Sequence, residues 1–152
     1  MIKQSKEALK HANKYHAKLI INDSVEITKE IGAHGVHLGL KDRPVEEARG
    51  YLGNNFIIGG TANTFEDVEI QISKRVDYIG LGPFRFTSTK EKLSPIIGLE
   101  GYKKLYAKFK EQGFKTPIVA VGGIETDDID QLIAVGLHGV AISTVLLNKY
   151  GN

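Results

Sequence analysis

Four places in the chain concentrate residues that could do chemistry. The first is a loop, Gly82 to Lys90 (GPFRFTSTK), which follows the short apolar run Tyr78-Ile79-Gly80-Leu81. Thr87 and Thr89 offer hydroxyls that donate to phosphoryl oxygens, and Lys90 offers a compact positive charge. Such a loop suits a phosphoryl group; the alternative reading is a solvated polar turn. Asp23 and Asp42 each follow another short apolar run. If those runs are adjacent parallel strands, the carboxylates lie side by side on one rim. Two carboxylates without histidine or cysteine ligands suit a magnesium ion that keeps several waters and completes its shell with substrate phosphates. The competing reading makes one a helix cap and leaves the other solvated. Gly122-Gly123 and Ile142-Ser143 leave the last two runs, where close backbone approach and free N–H groups would favour an anion, although Gly-Gly also makes a simple turn.

The remaining candidates read as structure. His37 lies inside an apolar run and reads as a satisfied histidine of the core or rim rather than a base. His11, His16, His34 and His138 make no metal-spaced cluster. Tyr102, Tyr106 and Phe109 recur at helical spacing and read as packing.

These residues need elements to hold them. Ser5 to Tyr15 predicts an amphipathic helix, and Lys18 to Ile21 a buried strand that ends in Asn22-Asp23. Asp23 or Ser24 can cap the helix that follows. Gly35 to Gly39 is a second strand, and Pro44 opens a helix, Val45 to Leu52, in its first-turn position. Phe56 to Gly60 is a third strand, and Thr64 with Asp67 has capping-box spacing for the next helix. Tyr78 to Leu81 is the fourth strand. A helix through Leu99, Tyr102, Leu105 and Phe109 is predicted to stop at Gly113. Pro117 to Val121, a helix from about Thr126 to Val135 that ends at Gly136, and Gly139 to Ile142 complete the pattern.

Strand and helix alternate six times with no interdomain linker, which predicts one α/β domain over residues 1–152 with parallel strands covered by helices. The candidate residues then all follow strand C-terminal ends, where sites form in barrels and in open sheets. A dinucleotide fold is disfavoured: Gly80 and Gly82 give G-x-G, but Arg85 stands in place of the third glycine and no helix starts there. The chain opens on a helix, so about two units of an eight-stranded barrel are expected to be absent on the N-terminal side.

Composition narrows the class. The 152 residues are 41% hydrophobic and 25% charged, which is ordinary globular material. A net charge of +2 argues for neither nucleic acid nor a membrane surface as partner. With no cysteine there is no disulfide, thiolate metal site or cysteine nucleophile. No apolar run approaches the roughly 20 residues of a membrane span, and MIKQSKEALKH is too polar for a secretory signal, so a cytoplasmic location is expected.

Read together, IIND (Ile20 to Asp23), GVHLGLKD (Gly35 to Asp42), IIGGTANT (Ile57 to Thr64), DYIGLGPFRFTSTK (Asp77 to Lys90), GLEG (Gly98 to Gly101), PIVAVGGI (Pro117 to Ile124) and GVAIST (Gly139 to Thr144) resemble the thiamine phosphate synthase family. They occur in the family's order and cover nearly all of the chain from Leu19 onward. The resemblance implies a (β/α)8 TIM-type barrel of which about six units are present. It implies a transferase of thiamine biosynthesis that joins hydroxymethylpyrimidine diphosphate to thiazole phosphate with release of pyrophosphate.

Carried over by position, Asp23 and Asp42 would ligate magnesium, and Asn22, Thr61 and Lys90 would contact the pyrimidine diphosphate. Thr87, Ser88, Thr89, Gly123 and the Ile142-Ser143 backbone would hold the thiazole phosphate, with Lys90 acting catalytically on the leaving pyrophosphate. Two departures stand out. The family's Gln-x-Arg-x-Lys strand end is missing, and Arg85-Phe86 replaces a pair whose second member is commonly proline. A tautomerase branch of the fold uses a histidine where this chain has Asn63, which can serve as neither acid nor base. The other alternative is a non-catalytic barrel remnant that binds phosphorylated small molecules. A partial barrel would expose parallel edges and apolar interior, which predicts self-association.

Overall fold

The computed structural model describes residues 1–86, 95–143 and 146. Thr87, Ser88, Thr89 and Lys90 lie outside them. The elements run α1 (Ile2–Lys14), β1 (Ile20–Asn22), α2 (Val25–Ile31), β2 (Gly35–Leu38), α3 (Val45–Leu52), β3 (Ile57–Ala62), α4 (Phe65–Ser73), β4 (Tyr78–Leu81), α5 (Gly98–Glu111), β5 (Ile118–Val121), a 3-10 turn (Thr126–Asp128), α6 (Ile129–Val135) and β6 (Gly139–Ala141). The six strands form one parallel sheet in the order β1-β2-β3-β4-β5-β6. Consecutive parallel neighbours put every strand C-terminus on the same edge, as the alternation of elements predicts. Among the described residues β1 and β6 are the outer strands and do not pair with each other. Among the described residues no helix is long and apolar enough to cross a membrane.

Burial separates the two faces of the sheet. Val36, Leu38, Ile58, Ile79, Leu81, Ile118 and Ala120 are buried in the core with Val25, Ala48, Val68, Tyr102 and Leu132. Their strand neighbours of opposite parity, His37, Val119 and Val121, are only half-buried and belong to the other face. Among the described residues the core face is the one whose side chains pack with those of the helices.

The caps follow their side chains. Ser24, not Asp23, caps α2 by accepting from Ile27 N at 3.2 Å. Thr64 and Asp67 form the expected capping box. Pro44 is the N-cap of α3 rather than its first helical residue, because its ψ of 139° is still extended. The helix expected from Thr126 is divided. A 3-10 turn precedes α6, and the Asp128 carboxylate draws it tight by accepting from Glu125 N at 2.8 Å. The helix expected to stop at Gly113 ends at Glu111, and Gly113 reverses the chain at φ 69°.

Two tertiary links anchor the exit of β4, where the Gly82–Pro83 peptide is cis. The wholly buried Tyr102 of α5 donates its hydroxyl to the Leu81 carbonyl. Arg85 grips buried Asp128 with both guanidinium nitrogens. The Arg85 hydrogen bonds hold the Asp128 carboxyl below the usual carboxylate range against the opposing effect of burial, with the Glu125 N–H adding to the lowering.

Two outcomes follow. Ile79→Ala empties a fully buried position on a central strand and should cost about 2–5 kcal/mol, read from the urea midpoint. A carboxyl depressed by folding stabilises fully above its unfolded value of about 4, and that contribution is lost as pH falls through the folded value. Asp128→Asn should therefore be less stable than the parent at neutral pH, with the gap closing as pH drops below about 4.

Candidate functional site

The edge formed by the strand C-termini gathers the predicted residues that can be described. At β1, Asn22 is the last strand residue and Asp23 turns the chain at φ 64°, a left-handed conformation that a short polar side chain tolerates better than most. The Asp23 N–H donates to the His37 carbonyl at 2.9 Å, which locks this turn to β2. After β2 the chain folds back so that Asp42 Oδ2 accepts from Gly39 N at 2.6 Å. A Cβ at residue 39 would lie 2.8 Å from that oxygen, so glycine is what admits the carboxylate there.

The two turns bring the carboxylates together. Burial, a hydrogen bond with Asp42 and the charge of Asp42 all push the Asp23 carboxyl above its usual value, while the Asn22 side chain opposes them. Like charges this close favour a shared proton or a bound cation. Among the described residues no group of three or more histidines and carboxylates could hold a metal. The pair alone suits a hard cation whose other positions are filled by water and ligand oxygens. On donor chemistry the residues fit magnesium.

Thr61, near the C-terminal end of β3, is nearly buried and held from two sides. Its hydroxyl lies 3.0 Å from His37 Nε2, and Tyr78 Oη lies 3.0 Å from His37 Nδ1. The His37 and Tyr78 rings stack at 5.5 Å. On the outer face, buried Gln71 of α4 donates its amide to the Thr61 carbonyl at 2.9 Å. That carbonyl lies one residue beyond the last β2–β3 pair, Leu38↔Gly60, so a side chain takes over where the ladder ends.

Glycines make this arrangement possible. His37, Gly59 and Tyr78 are register neighbours across β2, β3 and β4. A Cβ on Gly59 would fall 2.2 Å from Tyr78 Cζ, one on Gly60 2.4 Å from Gln71 Oε1, and one on Gly80 2.9 Å from His37 Cε1. Gly59, Gly60 and Gly80 are thus vacancies for side chains from neighbouring elements. Sequence reading found His37 satisfied but missed its partners; the available signal was a glycine between a histidine and a tyrosine in strands that pair in order.

On the other side of the edge, the exits of β4 and β5 are zipped together. Phe84 N donates to Val121 O at 2.9 Å and Arg85 N to Gly122 O at 3.0 Å. Arg85 Nη1 also reaches the Gly123 carbonyl at 3.0 Å. Gly122 and Gly123 have φ of 89° and 71°, and a Cβ on Gly122 would meet Pro83 at 2.8 Å. Asn63 joins the edge as a tie, donating its amide to the Gly82 carbonyl. Ile142 is half-buried and Ser143 exposed just beyond β6. Arg85, the first member of the Arg85-Phe86 pair, is the clamp that fixes the start of the loop after β4.

Known proteins match this arrangement over most of its length. The thiamine-phosphate synthase of Phocaeicola vulgatus is 54% identical over 133 residues, which is 88% of this chain and 64% of that protein. The thiamine-phosphate synthase of Flavobacterium psychrophilum is 50% identical over 141 residues, covering 92% of this chain and 68% of the relative. The chain thus spans about 64% of the length of the first curated relatives it matches. Among solved structures, thiamine phosphate pyrophosphorylase from Pyrococcus furiosus superposes with a TM-score of 0.80 at 30% identity, covering 93% of this chain and 64% of that one. The family model for thiamine monophosphate synthase matches residues 1–146. With the strand order, the edge-on carboxylate pair and these matches in agreement, the chain belongs to the thiamine monophosphate synthase family.

Proposed function

We propose that this chain is the site-bearing part of a thiamine phosphate synthase, six consecutive units of a (β/α)8 barrel that condense hydroxymethylpyrimidine diphosphate with thiazole phosphate. The observation that carries the reading is the juxtaposition of Asp23 and Asp42 on adjacent strand ends, each pinned by a backbone hydrogen bond. Family membership supports the choice of substrates.

In this reading Asp23 and Asp42 hold magnesium, which when bound neutralises charge on the diphosphate oxygens. Asn22 and Thr61 orient the diphosphate from β1 and β3. Lys90 places its ammonium where negative charge grows as the C–O bond to pyrophosphate breaks. The bonding electrons leave with pyrophosphate, and the thiazole nitrogen donates its lone pair to the resulting pyrimidine-methyl cation. No general base is needed. The Thr87, Ser88 and Thr89 segment, Gly123 and the Ile142-Ser143 backbone hold the thiazole phosphate, so that positioning and electrostatics supply the rate. The Arg85 clamp on Gly123 and Asp128 supports the start of that subsite.

Turnover with both substrates and magnesium tests the reading, on this chain alone and fused behind the N-terminal segment of the Phocaeicola vulgatus relative. Thiamine phosphate from either is the expected outcome; phosphate-ligand binding without product from both would make the protein a binding remnant. Asp42→Asn keeps an acceptor for Gly39 N but removes the charge, and should weaken magnesium-dependent diphosphate binding by about tenfold or more. An unchanged magnesium dependence would reduce Asp42 to a turn residue. Lys90→Ala should lower turnover by about two to three orders of magnitude while thiazole phosphate binding changes little.

A further inference from the structure

We infer that Tyr78, His37 and Thr61 form a one-way hydrogen-bond relay that sets the His37 tautomer and turns the Thr61 hydroxyl into a donor toward a bound anion. His37 is then a positioning residue, acting on the ligand through Thr61. The inference rests on the proposed function in one respect, that Thr61 faces the diphosphate.

A neutral imidazole carries one N–H and one acceptor nitrogen, so contacts at both nitrogens permit two directions. In one, Thr61 donates to Nε2 and Nδ1–H donates to the Tyr78 oxygen. The Thr61 hydroxyl then shows only lone pairs to anything above it, which repels a phosphate oxygen. In the other, Tyr78 donates to Nδ1, Nε2–H donates to Thr61 Oγ1, and the Thr61 proton is left to point at the ligand. The 3.0 Å contacts at Nδ1 and Nε2 serve either direction.

Two features favour the second. A phenol is a stronger hydrogen-bond donor and a weaker acceptor than an aliphatic alcohol, so of the two hydroxyls on His37 the Tyr78 hydroxyl is the better donor to Nδ1 and the Thr61 oxygen the better acceptor from Nε2–H. The ring also has little freedom to turn away. It lies across Gly59, stacked on His37, in a space that exists only because residues 59 and 80 lack side chains. The Gln71 amide fixes the Thr61 backbone from the opposite face, so the hydroxyl is aimed by interactions at both ends of the residue.

The test has a ligand-free arm and a binding arm. Nitrogen NMR of the 15N-labelled chain reads the tautomer directly. The relay requires His37 protonated at Nε2 in the parent protein and a shift toward Nδ1–H in Tyr78→Phe, whose ring still packs over Gly59. A parent His37 protonated at Nδ1 overturns the proposal without any variant having to fold. In the binding arm, inorganic pyrophosphate with magnesium is titrated calorimetrically. Thr61→Val should weaken binding about tenfold, as for a lost hydrogen bond to a charged group. Tyr78→Phe should weaken it a few-fold in the parent and not at all in the Thr61→Val background, since the tyrosine acts only through that hydroxyl. Equal effects of Tyr78→Phe in both backgrounds would mean a packing role and overturn the relay. If the parent chain fails to bind pyrophosphate with magnesium, the proposed function falls, and the tautomer measurement still decides the relay.

Discussion

Parallel pairing of consecutive strands is the constraint on which the rest of this molecule depends. Because β1 to β6 run the same way and pair in chain order, every segment that leaves a strand emerges on one edge. Residues more than a hundred positions apart in sequence, from Asn22 to Ser143, are delivered there without any long-range side-chain contact having to select them. Helices pave one face of the sheet and take the large aliphatic side chains. The other face carries Val119 and Val121 and, on the central strands, Gly59, Gly80, His37, Tyr78 and Thr61, where the glycines leave room and the rest supply polar atoms.

On that edge, backbone geometry rather than side-chain attraction brings charges together. Asp23 is pushed outward by a left-handed turn whose N–H is tied to β2, and Asp42 is folded back onto Gly39. Among the described residues neither carboxylate has a cationic partner that would explain its position. Holding two like charges side by side is unfavourable in the absence of a proton or cation; burial first, and then the hydrogen bond and charge of Asp42, push the Asp23 carboxyl up. The fold tolerates it because the turns are secured independently, by Ser24 capping α2 and by the β1–β2 register.

Arg85 works in the opposite way. Its bidentate grip on Asp128, with the hydrogen bonds from Phe84 and Arg85 to the β5 exit, joins two loops that the sheet alone would leave merely adjacent. A planar guanidinium meets both oxygens of the carboxylate with its two terminal nitrogens and the Gly123 carbonyl as well, a fork that lysine's point charge lacks. The clamp gives the start of the loop after β4 a fixed origin.

Local sequence determined the elements and their order. Strand-length apolar runs, the Thr64–Asp67 capping box, Gly136 after α6 and Pro44 before α3 carry their structure in short-range steric and hydrogen-bond preferences, which depend on a few neighbours. The rim position of Asn22, Asp23, Asp42, Thr61, Gly123 and Ser143 was likewise legible, because parallel topology follows from alternation. Register and side-chain contact were decided only in three dimensions. That Tyr78 would lean across Gly59 onto His37, that Gln71 would cap the Thr61 carbonyl where β2 gives out, and that Arg85 would find Asp128 all depend on which residues stand opposite one another. A period-two strand pattern tells which face a residue occupies but not its neighbour on the next strand, and a glycine in sequence does not reveal whether it is a hinge or a space kept for someone else's side chain.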